Sequence, residues 1–335
     1  MTDAVGRSPD IMETLVENAI EEFGWAPRDV YQGVFDLLFI RHEHDEAVEL
    51  ADHFELAKFV VQFPHLNQSP LSHKLITVEP VFNHLEHDSW ETGFKSAQIV
   101  GKVMGSSGLK EDKFLWSKYN SLYRVAGASG FTGHLFEEIV HRIFAHGWED
   151  SALRSQPTPM VSDGKDPPTF STVPSFTPAS VSHFPQLSTS PTDAVTVDFR
   201  SKDLNVTLEN NKYYKSKAAN NPLFGSFIVH HDPNNAVTIS VFQMTISQAH
   251  GGSNKGYENI RRIMGHIKVL LRGLKGYNTD VKVQYFLVCP DDEPRRWSMA
   301  ADWYDKDLEN NHRGDAFCVR VRVPGTSLFT PDFAT

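Results

Sequence analysis

The stretch "AVTISVFQMTISQAH", residues 236–250, constrains the fold more than any other. Side chains alternate across a strand. Phe242, Met244 and Ile246 therefore fall on one face. Ile239 and Val241 begin the other face, which then carries Gln243, Thr245 and Ser247. A strand this apolar on both faces belongs in the interior of a sheet. Its second face turns polar partway along, so the strand enters a core and leaves into a polar cleft.

The surrounding pattern divides in two. "DIMETLVENAIEEF", "DVYQGVFDLLFI" and "DEAVELADHFELAKFVVQF" carry apolar residues at helical spacing with acids between them. "SPLSHKLITVEPVF" reads as one extended segment, followed by helices near Trp90–Met104 and Asp112–Tyr123. "FTGHLFEEIVHRIFAHGWE" is an amphipathic helix with a stripe of Phe136, Ile139/Val140 and Ile143/Phe144. Residues 151–192 hold eight prolines among Ser and Thr and read as an irregular loop. Strands follow in "AVTVDF", "NVTLENNKYY" and "GSFIVHH", then a helix from about Tyr257 to Leu274, then the strands "VKVQYFLVC" and "AFCVRVRV". The expected class is α/β (α+β), with a helical region over 1–126. An αβββαβ core with a central mixed sheet is expected over 127–335, interrupted by the 151–192 loop.

The chain has 335 residues, 40% hydrophobic and 22% charged, which suits about two domains. It shows no apolar run long enough to span a membrane and no signal-peptide pattern, so an intracellular protein is expected. Cys289 and Cys318, the two cysteines, sit in apolar strands and read as buried thiols. Net charge is −10, but its distribution is uneven. Residues 1–192 hold 14 basic and 26 acidic side chains, and the remainder hold 18 and 16. Such an acidic whole opposes general nucleic-acid affinity while leaving room for a basic site in the second part.

From Phe131 the order helix, strands, helix, strand is the skeleton of a restriction-endonuclease-like nuclease core. Such nucleases hold Mg²⁺ or Mn²⁺ on carboxylates, with an acid-x-Lys pair on one strand face and a further Glu from the preceding helix. The Gln243-x-Thr245 pair has that spacing, and Glu137 borders the apolar stripe of the preceding helix. Glu138 is better placed to pair with Arg142 one turn on. On the following helix Arg261, Lys268, Arg272 and Lys275 form a basic stripe, with Lys255 and His250 nearby, as candidate phosphate contacts. The ordinary role of any one of these residues is a solvated helix face. "RHEHDE", with histidines at i,i+2, reads as surface.

"GHLFEEIVHRIFAHG", "NKYYKSKAANNPLFGSFIV", "VTISVFQMTISQAHGGSNKGY" and "VQYFLVCP" together resemble the nuclease region of Crinkler and retrotransposon-hot-spot (RHS) proteins. Those proteins pair a P-loop NTPase domain with a restriction-endonuclease-like domain. "SPLSHKLITVEPVF" and "WETGFKSAQIVGKVM" resemble the end of the NTPase part, yet no Walker A motif occurs, so no ATP site is expected. The resemblance puts the family's helix acid at Glu137, its acid-or-Gln at Gln243 and its lysine at Thr245. It puts the metal-binding aspartate at Gly225, which has no ligand atoms; Asp232 is the nearest acid that could replace it.

The resemblance thus implies a nucleic-acid-directed protein, acting on DNA or RNA by metal-dependent phosphodiester hydrolysis if its incomplete site still works. The other reading is a noncatalytic relic that binds nucleic acid, or docks a protein partner through the acidic N-terminal helices. No membrane partner is expected.

Overall fold

The computed structural model describes residues 9–53, 72–80, 90–105, 112–123, 129–145, 157–165, 167–172, 194–199, 204, 206–217, 223–231, 237–271, 281–290, 294–300, 315–321 and 323. Asp232, Arg272 and Lys275 lie outside these residues, as does much of 151–192. The chain forms two compact units, Met1–Leu135 and Phe136–Thr335.

In the first unit, α1 (Pro9–Phe23), α2 (Pro27–Phe35) and α3 (Leu37–His53) pack around Phe23, Ala19 and Ile40. Gly24 ends α1 at φ +83°, returning its N–H to the Ile20 carbonyl at 2.7 Å. Only glycine takes that conformation cheaply. Pro27 opens α2, where its missing N–H costs nothing. The α1–α2 crossing is close at Gly33. A Cβ there would stand 2.8 Å from the Ala19 Cβ and 2.9 Å from the Phe23 ring.

Gly33→Ala is therefore a useful probe. Helix propensity favours alanine by about 1 kcal/mol. Overpacking against a fully buried ring that cannot yield costs about 1–3 kcal/mol. Packing should win, with a net loss of about 1 kcal/mol. A urea midpoint unchanged or raised in the variant would show that α1 and α2 can separate at no cost.

A helical turn, Ser72–Leu75, leads into β1 (Ile76–Pro80), which pairs antiparallel with β2 (Trp90–Phe94). Here the structure corrects the expected helix from Trp90: the segment pairs residue for residue with β1 instead. The helix begins later, as α4 (Ala97–Gly105), followed by α5 (Asp112–Leu122) and α6 (Ser129–Ala145). The unit boundary falls within α6.

The second unit is built on a seven-stranded mixed sheet. Its strands are β3 (Thr158–Pro159), β6 (Val195–Val197), β7 (Tyr213–Ser216), β8 (Ser226–His231), β9 (Val237–Met244), β11 (Val281–Pro290) and β13 (Ala316–Val321). Their order is β3-β13-β11-β9-β8-β7-β6. β7, β8 and β9 form an antiparallel meander, and β9 connects through α7 (Asn254–Leu271) to the parallel strand β11. Two short strands of the Pro-rich segment, β4 (Val161–Ser162) and β5 (Thr169–Ser171), join β10 (Ala249–Gly251) and β12 (Arg296–Ser298) in a second sheet of order β10-β12-β5-β4. Among its described residues, the segment expected as an irregular loop over 151–192 thus forms strands and buries Met160 and Phe170. Residues 206–208 do not form a strand: Asn211 turns the chain at φ 59°, and the Tyr214 hydroxyl donates to the Thr207 carbonyl.

The strand "VTISVFQM" is central and buried, as its two apolar faces require. Val237, Ile239 and Val241 pack in one core with Tyr257, Ile260, Ile263 and Ile267 of α7. On the other face, Phe144 of α6 meets Phe242 at 5.1 Å, and Phe242, Phe286 and Phe317 stack in a row across three strands. Burial of that aromatic row is the main reason α6 holds to this face. Cys289 and Cys318 are buried free thiols on neighbouring strands. No described helix is long and apolar enough to cross a membrane.

Candidate functional site

The site grows from the α6 side of the meander. Glu137 and His141 are one helical turn apart, so they share a face of α6. Tyr213 and Lys215 are two residues apart on β7 and share a sheet face. The two pairs meet. The Glu137 carboxylate lies 3.5 Å from His141 Nε2, and His141 Nδ1 lies 2.6 Å from the Tyr213 hydroxyl. Burial, and then the nearby Lys215 charge, lower the His141 pKa, so the ring is neutral. Burial raises the Tyr213 pKa far above its usual value, so the phenol keeps its proton. One arrangement satisfies all three groups: Tyr213 O–H donates to Nδ1, and Nε2–H faces the carboxylate.

Glu138 has other partners. Burial pushes its carboxyl pKa up, but Lys215 at 3.0 Å and Arg142 at 3.1 Å outweigh burial and hold it below the usual value. The pairing of Glu138 with Arg142 matches the expectation from spacing.

Gly225 completes the site. Strict alternation breaks here, because Phe224 and Phe227 both pack in the α7-side core although they are three residues apart. The extra residue turns Gly225 towards α6. Its N–H donates to the Phe242 carbonyl and its carbonyl accepts from Ser216, each at 2.9 Å. A Cβ on Gly225 would stand 2.9 Å from Glu137 Oε1, 3.3 Å from Met244 Sδ and 3.7 Å from His141 Cε1. Its φ is not positive, so what favours glycine is the nearness of the Glu137 carboxylate, not backbone strain. Glu137 and Gly225 are thus neighbours.

Gln243 is elsewhere. It is flanked by Phe242 and Met244, which face α6, so alternation turns it to the α7 face. Its register partner Leu287 and its neighbour Val241 both belong to the α7-side core. The Gln243 amide donates to the Met244 carbonyl at 3.1 Å, while its buried Oε1 has no hydrogen-bond partner. Thr245 Oγ1 accepts from the Ser247 N–H, a local turn contact. Glu137 and Gln243 therefore lie on opposite faces of the sheet, and Thr245 lies past the end of β9.

The phosphate candidates are spread as well. His250 is in β10 opposite Trp297, and burial lowers its pKa. At about 100° per residue, Arg261 and Lys268 share a flank of α7, and exposed Lys255 lies well round the helix from both. Mg²⁺ or Mn²⁺ needs several oxygens converging on one point. Glu137 faces a glycine, Glu138 is held by two cations, and Gln243 points the other way, so these residues do not fit such an ion. Among the described residues, no group of three His, Cys, Asp or Glu side chains could hold a metal.

Sequence reasoning missed His141, Tyr213 and Lys215. The i,i+4 spacing from Glu137 and the period-two spacing in "YYKS" were the signals that could have found them. No family model matches this chain, and comparison with curated proteins and with solved structures finds no similar one.

Proposed function

We propose that this chain carries a restriction-endonuclease-like domain of the Crinkler and RHS type that binds nucleic acid without cutting it. The observation that carries the reading is Glu137 beside Gly225. Glu137 borders the position that the resemblance gives to the strand acid, and that position is a glycine. The order α6-β7-β8-β9-α7-β11, with an antiparallel meander and a parallel return, supports the nuclease-type frame. Binding is assigned to the flank of α7 that presents Arg261 and Lys268, with Lys255 and His250 as further contacts. An intracellular setting, cytoplasm or nucleus, goes with this reading. The hydrolytic alternative needs Glu137 and Gln243 on one metal, and their opposite faces weigh against it.

Two assays test the proposal. Plasmid DNA and single-stranded RNA incubated with the protein in Mg²⁺ or Mn²⁺ should stay intact. Binding to one of them should weaken as salt rises. Arg261→Glu with Lys268→Glu should flatten the log–log salt slope by about 2. Metal-dependent cleavage lost in Glu137→Ala would return the chain to the active nucleases. Failure to bind either nucleic acid would remove the reading altogether.

A further inference from the structure

The first unit exposes large apolar side chains in one short span of chain. Trp25 and Leu38 are each 80% exposed, Tyr31 is 59% exposed and Phe35 is 48% exposed. Phe39 is also exposed. Tyr31 and Phe35 are one turn apart on α2, with ring centroids at 4.6 Å. Leu37, Leu38 and Phe39 open α3 directly after Asp36, whose carboxylate accepts from the Phe39 N–H. Scattered exposed apolar residues are ordinary, but a run of aromatic side chains across one helix corner is a mark of an interaction site.

Charge decides what kind of partner fits. Residues 9–53 hold twelve Asp and Glu against Arg28 and Arg41, and Lys74, Lys95 and Lys102 from later in the unit pair with Glu43, Asp29 and Asp45. Arg41 is committed to Glu22 through two hydrogen bonds at 2.6 and 2.7 Å. Glu13, Glu17, Asp36, Glu46 and Glu49 are exposed. Two copies of such a surface would repel each other, and so would a nucleic acid or an anionic bilayer. A segment with an apolar stripe flanked by lysine and arginine would meet both features at once.

We propose that the α2–α3 corner is a docking surface for a basic amphipathic helix of a partner protein. Leu38, Phe35 and Tyr31 receive its apolar stripe, and Asp36 at the corner, with the other exposed carboxylates of α1 and α3, receives its cations.

The test uses the full chain and a fluorescein-labelled peptide of leucine and lysine, with leucines at i, i+3, i+4 and i+7. A scrambled peptide of the same composition is the control. Fluorescence anisotropy should show saturable binding of the patterned peptide, weakening as salt rises. Leu38→Asp and Tyr31→Ser should each weaken binding at least about tenfold. Both side chains are exposed, so circular dichroism and melting should be unchanged; if one variant misfolds, the other still reads the site. The proposal fails if the scrambled peptide binds equally well, or if both folded variants bind like the wild type. It also fails if sedimentation equilibrium finds a dimer that Leu38→Asp dissociates, since a second copy would then cover the patch.

Discussion

Gly225→Asp is expected to destabilise the second unit in metal-free buffer and to make its stability respond to Mn²⁺, which the wild type should not do. The new Cβ would stand 2.9 Å from Glu137 Oε1, the mobile end of a side chain, so a rotamer change can admit it. Two carboxylates then share one site. Unit charges 4 Å apart repel by about 4 kcal/mol at an effective dielectric of 20, and partial protonation relieves some of that. A loss of about 2–4 kcal/mol at pH 7 follows. A divalent ion reverses the sign, because the introduced aspartate and Glu137 would supply converging oxygens, and His141 would add Nε2 once its proton moves to Nδ1, facing the Tyr213 oxygen. Mn²⁺ at a hundred times its dissociation constant would restore about 2.7 kcal/mol. Urea unfolding with and without Mn²⁺ reads both effects, and Glu137→Gln in the same background should abolish the metal response. A folded variant indifferent to Mn²⁺ would mean that position 225 is not the strand-acid position.

The architecture of the second unit was largely legible because its signals are local. β9 is apolar on both faces, α7 has its buried stripe at helical spacing, and α6 carries Phe136, Ile139, Val140 and Phe144 where the pattern put them. What escaped depends on distant partners. Thr158–Pro159 is a strand only because β13 offers an edge, and the Thr158 hydroxyl meets the Cys318 carbonyl across 160 residues. Trp90–Phe94 is a strand because β1 pairs with it.

The site follows the same rule. Period two placed Gln243 on the face of Val241, but it could not say that α6 covers the opposite face. Nor could it show that a bulge turns Gly225 towards Glu137. Pairing within one element was readable, as for Glu138 with Arg142. Pairing between elements, as for His141 with Tyr213 or Glu138 with Lys215, needed the packed fold.

His44 shows what that costs a surface reading and yields the other large expected effect. Its i,i+2 spacing from His42 suggested surface, yet the ring is fully buried, 5.0 Å from Phe23. Neither ring nitrogen has a hydrogen-bond partner. Nε2 is 3.9 Å from Asp29 Oδ2, an oxygen already held by Lys95 at 2.7 Å. Burial lowers the His44 pKa to about 4; Asp29 opposes the shift, while Lys95, Lys74 and Lys102 add to it. An unfolded histidine titrates near 6.5. The folded value is the lower one, so stability is full above pH 6.5 and is lost as pH falls towards 4. The loss by pH 4 is about 3 kcal/mol from this group alone. His44→Leu removes the titration and two unsatisfied nitrogens while keeping most of the volume. Urea unfolding of the helical unit, followed by circular dichroism at pH 7 and pH 4, should show the wild type losing about 3 kcal/mol more than the variant. Carboxylates common to both proteins cancel in that difference. Equal losses in the two proteins would mean that water reaches the imidazole and that His44 is not sealed between α1 and α3.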